Sequence, residues 1–324
     1  MQIVAVDIGG TNARFALADI MPGCRPVLGE PVTFHTVDHG SFTSAWQAFA
    51  RSIDTPLPRA AGIAVAGPVE GEMLKLTNNP WTIRPATLAG ELGLDQLVLI
   101  NDFSAVAHAV AWLEEAHLVH LAGPDEPLPE QGLISVIGPG TGLGVAQLLR
   151  RNGHAEVIAT EGGHIDYAPL DSIETAMLNI LRQRYLRVSV ERIVSGPGLA
   201  NIHEALAAIE QRPFTPRDDD ALWTAATGDD DALARAALDR FCLAFGAVAG
   251  DLALAHGANA VAIGGGIPPR IVDYLRNSGF ASRFVAKGRF EGRMARLPVR
   301  IVMHPQPGLF GAAAAFATRH LSQG

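Results

Sequence analysis

Ile3-Val4-Ala5-Val6-Asp7-Ile8-Gly9-Gly10-Thr11-Asn12 begins the chain, and Ile137-Gly138-Pro139-Gly140-Thr141-Gly142-Leu143-Gly144-Val145 repeats its pattern further on, with Thr11 aligned to Thr141. Each copy is an apolar strand that runs into a glycine turn with a threonine and then into a second strand, Ala13 to Ala18 in one case and Val145 to Leu149 in the other. A hairpin this rich in glycine leaves backbone N–H groups uncovered, so an anion can approach them closely. Taken singly, each turn is equally a tight hairpin that needs glycine for positive φ. The duplication favours two related lobes gripping one polyphosphate from opposite sides, the plan of a nucleotide clamp.

Two familiar phosphate-binding patterns are excluded or weakened by the same stretch. The two lysines, Lys75 and Lys287, follow Leu74 and Ala286, so no G-x-x-x-x-G-K-[ST] loop exists. Leu143, Val145 and Gln147 occupy the third-glycine positions counted from Gly138, Gly140 and Gly142, which argues against a dinucleotide fingerprint.

At 324 residues the chain is long for one core, and two domains are expected. A hydrophobic content of 48% with 18% charged residues describes a folded chain with a large core. Net charge is −8 and the arginines are scattered, so no stripe for nucleic acid is expected. Cys24 and Cys242 are too few for a disulfide framework and fit small buried thiols in a reducing compartment. The N-terminus enters a strand without a signal segment, and Asp251 and His256 interrupt the most apolar stretch, so no membrane span is expected and a cytoplasmic location is.

Working outward from the first hairpin, Val32 to Thr36 reads as a strand and Ser41 to Ile53 as a helix capped by Ser41, with Phe42, Ala45, Trp46 and Phe49 as its apolar stripe. Ala61 to Ala66 is a buried strand ended by Gly67-Pro68, Met73 to Thr77 a short strand, Thr77 to Trp81 a loop, and Pro85 to Leu92 a helix. Leu97 to Ile100 is a strand that ends in Asn101-Asp102, before a helix from Ser104 to Leu113. Gly123 to Glu130 reads as a surface connector. The second half starts with Leu133 to Ile137 and two more strands, joined at Asn152-Gly153, and is largely helical from Ser172. Asp218-Asp219-Asp220 and Asp229-Asp230-Asp231 precede alanine-rich helices and read as caps rather than metal ligands. Ala260 to Ile263 is a strand opening into Gly264-Gly265-Gly266, with a helix start at Pro268-Pro269, and Gly308 to Arg319 is a small-residue helix.

Three polar groups stand at the ends of these elements. Asn101-Asp102 lies where a strand meets a helix, the position at which α/β proteins expose ligand groups, and also one where such residues simply cap. Glu161-Gly162-Gly163-His164 follows the strand ending near Thr160, its glycines letting both side chains face one cavity. Glu191 precedes Ser195-Gly196-Pro197-Gly198. An amide, an imidazole and three carboxylates suit a neutral polyol, whose hydroxyls both donate and accept. No H-E-x-x-H or comparable zinc spacing is present.

Asp7-Ile8-Gly9-Gly10-Thr11-Asn12-Ala13-Arg14, Ile100-Asn101-Asp102-Phe103, Gly140-Thr141-Gly142-Leu143-Gly144, Glu161-Gly162-Gly163-His164, Glu191-Arg192 with Ser195-Gly196-Pro197-Gly198, and Gly264-Gly265-Gly266-Ile267 occur in the order found in the bacterial glucokinases. The chain resembles that family, of the hexokinase-related, actin-like ATPase superfamily, from residue 1 to the turn at Pro307-Gly308-Leu309. The resemblance implies an α/β, two-lobed ribonuclease H-like fold with a central cleft, divided into a smaller domain of residues 1–112 plus 308–324 and a larger one of residues 113–307 with helical insertions. It implies phosphorylation of glucose at the 6-hydroxyl by ATP with Mg²⁺, in a homodimer. Asp102 would be the general base, and Asn101, Glu161, His164 and Glu191 would hold the other hydroxyls. Asp7 would orient Mg²⁺ through water. Gly9, Gly10, Thr11, Asn12, Gly138, Gly140 and Thr141 would serve the phosphates, and Gly264, Gly265 and Gly266 the adenosine. Pro139 departs from the family pattern by removing one possible phosphate donor. A kinase for mannose, glucosamine or fructose, a non-kinase ATPase of the same fold and a non-catalytic sugar sensor are the alternatives, the last lacking any visible output module.

Overall fold

A computed structural model describes every residue except Pro68, Thr77, Asn78, Pro80, Asp229 and residues 322–324. The chain divides into two units, one formed by Met1–Glu114 with the segment from His304 onward, the other by Glu115–Met303.

In the first unit, β1 (Gln2–Ile8) and β2 (Asn12–Asp19) form the hairpin, followed by β3 (Val27–Leu28), β4 (Val32–His35), β5 (Ala60–Val65), the short pair β6 (Leu74–Lys75) and β7 (Thr82–Ile83), and β8 (Gln96–Asn101). The main sheet runs β3-β2-β1-β5-β8, with β4 also on β2. β1, β5 and β8 are parallel and the hairpin is antiparallel, with Asp7 opposite Arg14. Strand alternation sorts the side chains. Val4, Val6 and Ile8 face a core of Phe15, Phe42, Trp46, Phe49 and Trp81, while Ile3 and Ala5 face the last helix, Pro307–Leu321, through Leu309, Ala313 and Phe316. Phe15 and Phe49 stack at 5.1 Å. Gly311 lets the last helix lie against Ala105 of the helix Asp102–Val110, and Gly62 of β5 lets it lie against Ala312, since a Cβ at either glycine would run into that backbone.

The second unit repeats the plan. It contains β9 (Leu118–Ala122), β10 (Gly132–Pro139), β11 (Leu143–Arg151), β12 (His154–Thr160), β13 (Ala260–Ile263) and β14 (Val299–Val302), in the order β12-β11-β10-β13-β14-β9. The hairpin β10–β11 is antiparallel, and β10, β13 and β14 run parallel, as β1, β5 and β8 do. Its core is built by the helices Ser172–Arg184, Gly196–Ile209, Asp219–Thr227 and Ala232–His256, with Phe241 and Phe245 fully buried.

Local signals held where they had local causes. Ser41 caps Phe42–Arg51 through the N–H of Ser44 at 3.1 Å. Asp218 caps the helix that follows it, and Asp231 does the same for Ala232–His256. Asp229 of the second triplet lies outside the described residues, as do Pro68 and most of the expected loop at 77–81. Asn152 and Gly153 both take positive φ, 52° and 78°, which matches the twist of the hairpin they close.

Several expectations need correction. The helix after Asn101 begins at Asp102, two residues early, because Asn101 itself supplies the cap. Thr36 leaves the strand and starts a 3-10 turn, and β3, β7, β9 and β14 were not foreseen. Pro268 and Pro269 open a 3-10 turn rather than an α-helix. Cys24 is exposed, and only Cys242 is buried, where burial pushes its thiol up to about 12. Among the described residues, no helix is long and apolar enough to cross a membrane.

Candidate active site

Asp7, Asn101-Asp102 and the glycine turns after β10 and β13 stand at the C-terminal ends of parallel strands, where an α/β sheet leaves its loops open to a ligand, whereas Glu161 and His164 follow the antiparallel β12 and Glu191 lies in a 3-10 turn. In the first unit, Asp7 lies near the end of β1, opposite Ala64 of β5, and Val65 of β5 lies opposite Asn101 of β8. The Asp7 side chain is 18% exposed and pairs with Arg14 at 3.4 Å. Burial raises its carboxyl above the usual carboxylate range, and Arg14 acts in the opposite direction.

The turn that follows is held entirely by its carbonyls. Asn79 Nδ2 donates to Gly9 O at 3.0 Å, Thr36 Oγ1 donates to Gly10 O at 3.0 Å, and the Thr36 N–H donates to Thr11 O at 2.9 Å. The Gly9 N–H closes the turn on Asn12 O at 2.9 Å. With every carbonyl drawn into the protein, the N–H groups of Gly10 and Thr11 find no acceptor among the described residues. Asn12 Oδ1 is buried and unpartnered beside them. Such a turn is an anion cradle. Thr36, fully buried, and Asn79 were missed from the sequence, since neither stands in a motif.

Asn101 and Asp102 do cap the helix. Asn101 Oδ1 accepts the N–H groups of Phe103 and Ser104 at 2.8 and 3.1 Å, and its Nδ2 donates to Gly67 O at 3.1 Å. One amide hydrogen of Asn101 therefore remains for a ligand. Asp102 Oδ1 accepts the Phe103 N–H at 2.8 Å, which fixes the carboxylate at the helix start.

In the second unit the turn at Gly140–Gly142 departs from its twin. The Gly140 N–H closes on Gly142 O at 2.8 Å, so it is not open to a ligand, whereas those of Thr141 and Gly142 find no acceptor among the described residues. The amide missing at Pro139 is thus replaced in number by that of Gly142, and the Pro139 carbonyl accepts the Ile267 N–H at 3.3 Å. Gly138 and Gly265 lie in mutual contact. A Cβ on Gly138 would stand 2.5 Å from the backbone of Gly264, and Gly265 has φ +87°. Gly138 therefore acts by letting the Gly264-Gly265-Gly266 loop lie on β10.

Glu191, in the 3-10 turn Val190–Arg192, accepts the Leu143 N–H at 2.9 Å. Glu161 precedes the 3-10 turn Gly162–His164 and His164 ends it, their side chains 3.8 Å apart and 67% and 58% exposed respectively. Gly162 and Gly163 lie against Val145 and Leu143, which brings this group and Glu191 to the same turn. The structure thus assembles Asp7, the first turn and Asn101-Asp102 within one unit, and Glu161, His164, Glu191 and both later glycine motifs within the other.

Among the described residues, no group of three or more His, Cys, Asp and Glu could hold a metal ion. A single half-buried carboxylate on the strand that leads into open N–H groups instead suits Mg²⁺ that arrives with phosphates, an ion that needs only one or two carboxylates. Asp7 is the residue that fits.

The family model described as Glucokinase matches residues 4–319. A glucokinase of Zymomonas mobilis subsp. mobilis is 59% identical over 320 residues, covering 99% of each chain. A glucokinase of Xanthomonas campestris pv. campestris is 43% identical, covering 96% of this chain and 94% of its own. The crystal structure of glucokinase from an Antarctic psychrotroph superposes with a TM-score of 0.85 at 35% identity, covering 97% and 98%. A Streptomyces griseus ROK family glucokinase in complex with glucose and AMPPNP shares the fold, with a TM-score of 0.63 at 19% identity and coverage of 97% and 99%. The twin hairpins, their glycine turns and the full-length likeness lead to one conclusion: this chain belongs to the glucokinase family.

Proposed function

We propose that the chain transfers the γ-phosphoryl group of ATP to the 6-hydroxyl of glucose, giving glucose 6-phosphate and ADP. The observation that carries this reading is the pair of turns whose N–H groups stand open at Gly10–Thr11 and Thr141–Gly142, in a chain that matches glucokinases along its whole length. Phosphoryl transfer asks a protein for alignment and charge stabilisation more than for covalent chemistry. The open amides supply the donors for the phosphate oxygens, and a cavity of about 730 Å³ lined by Thr227, Asp239, Arg270, Tyr274 and Pro269, the last three residues along the chain from Gly266, is ample for a nucleoside.

Asp102 accepts the proton of the 6-hydroxyl as the oxygen attacks phosphorus. Its Oδ1 is engaged by the Phe103 N–H, so the carboxylate keeps its orientation without a rotamer search. Glu161, Glu191, His164 and the remaining amide hydrogen of Asn101 take the other hydroxyls. Asp7 would hold the Mg²⁺ that comes with the nucleotide. When bound, that ion neutralises charge on the phosphate oxygens. The same reading carries a homodimer, as the family resemblance implies, in the cytoplasm that the cysteine usage and the lack of an apolar span lead one to expect.

A coupled assay with a panel of sugars and phosphate donors tests it. Turnover of glucose with ATP should exceed that of mannose, glucosamine and fructose, and should need Mg²⁺. Hydrolysis of ATP without transfer to any sugar would overturn the reading, and preference for another hexose would move it to that sugar.

A further inference from the structure

Glu191 and the turn at Gly140–Gly142 are assigned to different substrates above, yet they are joined. Glu191 Oε2 holds the Leu143 N–H at 2.9 Å, and within the described residues only that oxygen is engaged. The segment is fastened a second time, by the Gly196 N–H on Gly140 O at 2.8 Å, while Ser195 Oγ donates to Glu191 O at 2.7 Å and caps the helix that follows. Gly142 makes the approach possible. A Cβ there would stand inside contact distance of Glu191 Oε2 and 3.2 Å from its Cδ, so a larger residue would displace the carboxylate.

We propose that Glu191 is shared by both substrates, so that a sugar hydroxyl on Oε1 raises the affinity of the Thr141–Gly142 amides for nucleotide phosphate, with Gly142 as the positioning residue. The inference rests on the kinase reading above. A hydroxyl donated to Oε1 fixes the carboxylate torsions, freedom that is otherwise lost when Oε2 takes the Leu143 N–H. The turn then spends more time with its open amides in place, and the nucleotide finds it already ordered. Linkage makes the effect mutual: bound nucleotide tightens sugar by the same factor.

Calorimetric titration with AMPPNP, with and without saturating glucose, tests the coupling without turnover. In the unaltered protein, glucose should tighten AMPPNP by about 5-fold or more, the lower end of usual coupling between sites. Glu191→Ala should lose that gain even when glucose is raised to saturate it. Glu161→Ala, whose carboxylate has no bond to the turn, should weaken glucose but keep the gain at saturation. Gly142→Ala should weaken glucose in the absence of nucleotide and add nothing once Glu191 is alanine. Circular dichroism checks folding, and Glu191→Gln, which preserves shape, should lower the gain if the alanine variant does not fold. A full gain in the folded Glu191 variants, or additive losses for Gly142→Ala and Glu191→Ala, overturns the proposal. A protein that binds both ligands without coupling overturns it alone, whereas one that binds no glucose overturns the kinase reading with it.

Discussion

Gly308 lies so close to Asp7 that a methyl group on its Cα would stand 2.5 Å from Oδ2 and 2.6 Å from Cγ of the carboxylate. The start of the last helix is therefore one wall of the pocket that holds Asp7. Gly308→Ala must move either the carboxylate or the helix. It should lower kcat/KM by roughly 10²-fold, the usual scale for a misplacement near 1 Å. The loss should appear in activity at varied Mg²⁺ and ATP, with glucose affinity measured by calorimetry nearly unchanged. Equal losses in both would remove Gly308 from the nucleotide side.

Thr36 is the hidden tether of the first turn. Thr36→Val keeps the side-chain shape but removes the hydroxyl from Gly10 O, leaving that carbonyl to reorient. A lost hydrogen bond of this kind is worth about 1–2 kcal/mol. The ATP KM should rise roughly 5- to 30-fold, with kcat changed less, in steady-state kinetics.

Asp102→Asn retains an oxygen for the Phe103 N–H and removes the base. We expect kcat to fall roughly 10²–10⁴-fold, the ordinary size of a general-base effect. Thermal unfolding should be little changed, since the helix keeps its Asn101 cap. A loss under tenfold in kcat would show that another group accepts the proton.

Glu161 is largely exposed, and its side chain lies 3.8 Å from His164. Its removal should therefore cost the fold little and the sugar much. Replacing a charged hydrogen-bond partner costs about 1.5–3 kcal/mol, so Glu161→Ala should raise the glucose KM roughly 10- to 150-fold. An unchanged KM would take Glu161 out of the sugar set.

His108, on the helix Asp102–Val110, is pushed by burial from its ordinary 6.5 down to about 4. Above pH 6.5 the ring is neutral whether the chain is folded or not, and it contributes no pH dependence. Between about 6.5 and 4 the unfolded chain takes up the proton first, so stability falls with pH, by up to about 3 kcal/mol. Below about 4 this contribution levels off. Urea unfolding across that range should show the slope, and His108→Gln should flatten it.

How far the chain could be read in advance depends on how far apart the interacting residues lie. The strand–turn–strand repeat, the cap at Ser41, the hairpin turn at Asn152-Gly153 and the helix Pro85–Leu92 all follow from residues within a few positions of one another. Burial was harder to read. Cys24 was expected inside and stands exposed, because a cysteine next to Pro22 and Gly23 carries no period that marks a face.

By itself the sequence determined that two glycine turns would follow apolar strands, and that polar groups would gather at strand ends, since backbone sterics and alternation act along the chain. Only the tertiary structure decided which amides stay open. Thr36 reaches Gly10 across 26 positions, Asn79 reaches Gly9 across 70, and Glu191 reaches Leu143 across 48. Gly308 closes on Asp7 from the far end of the chain. These are choices of packing, made when sheets and helices bring distant backbone within hydrogen-bonding reach, and no local propensity encodes them.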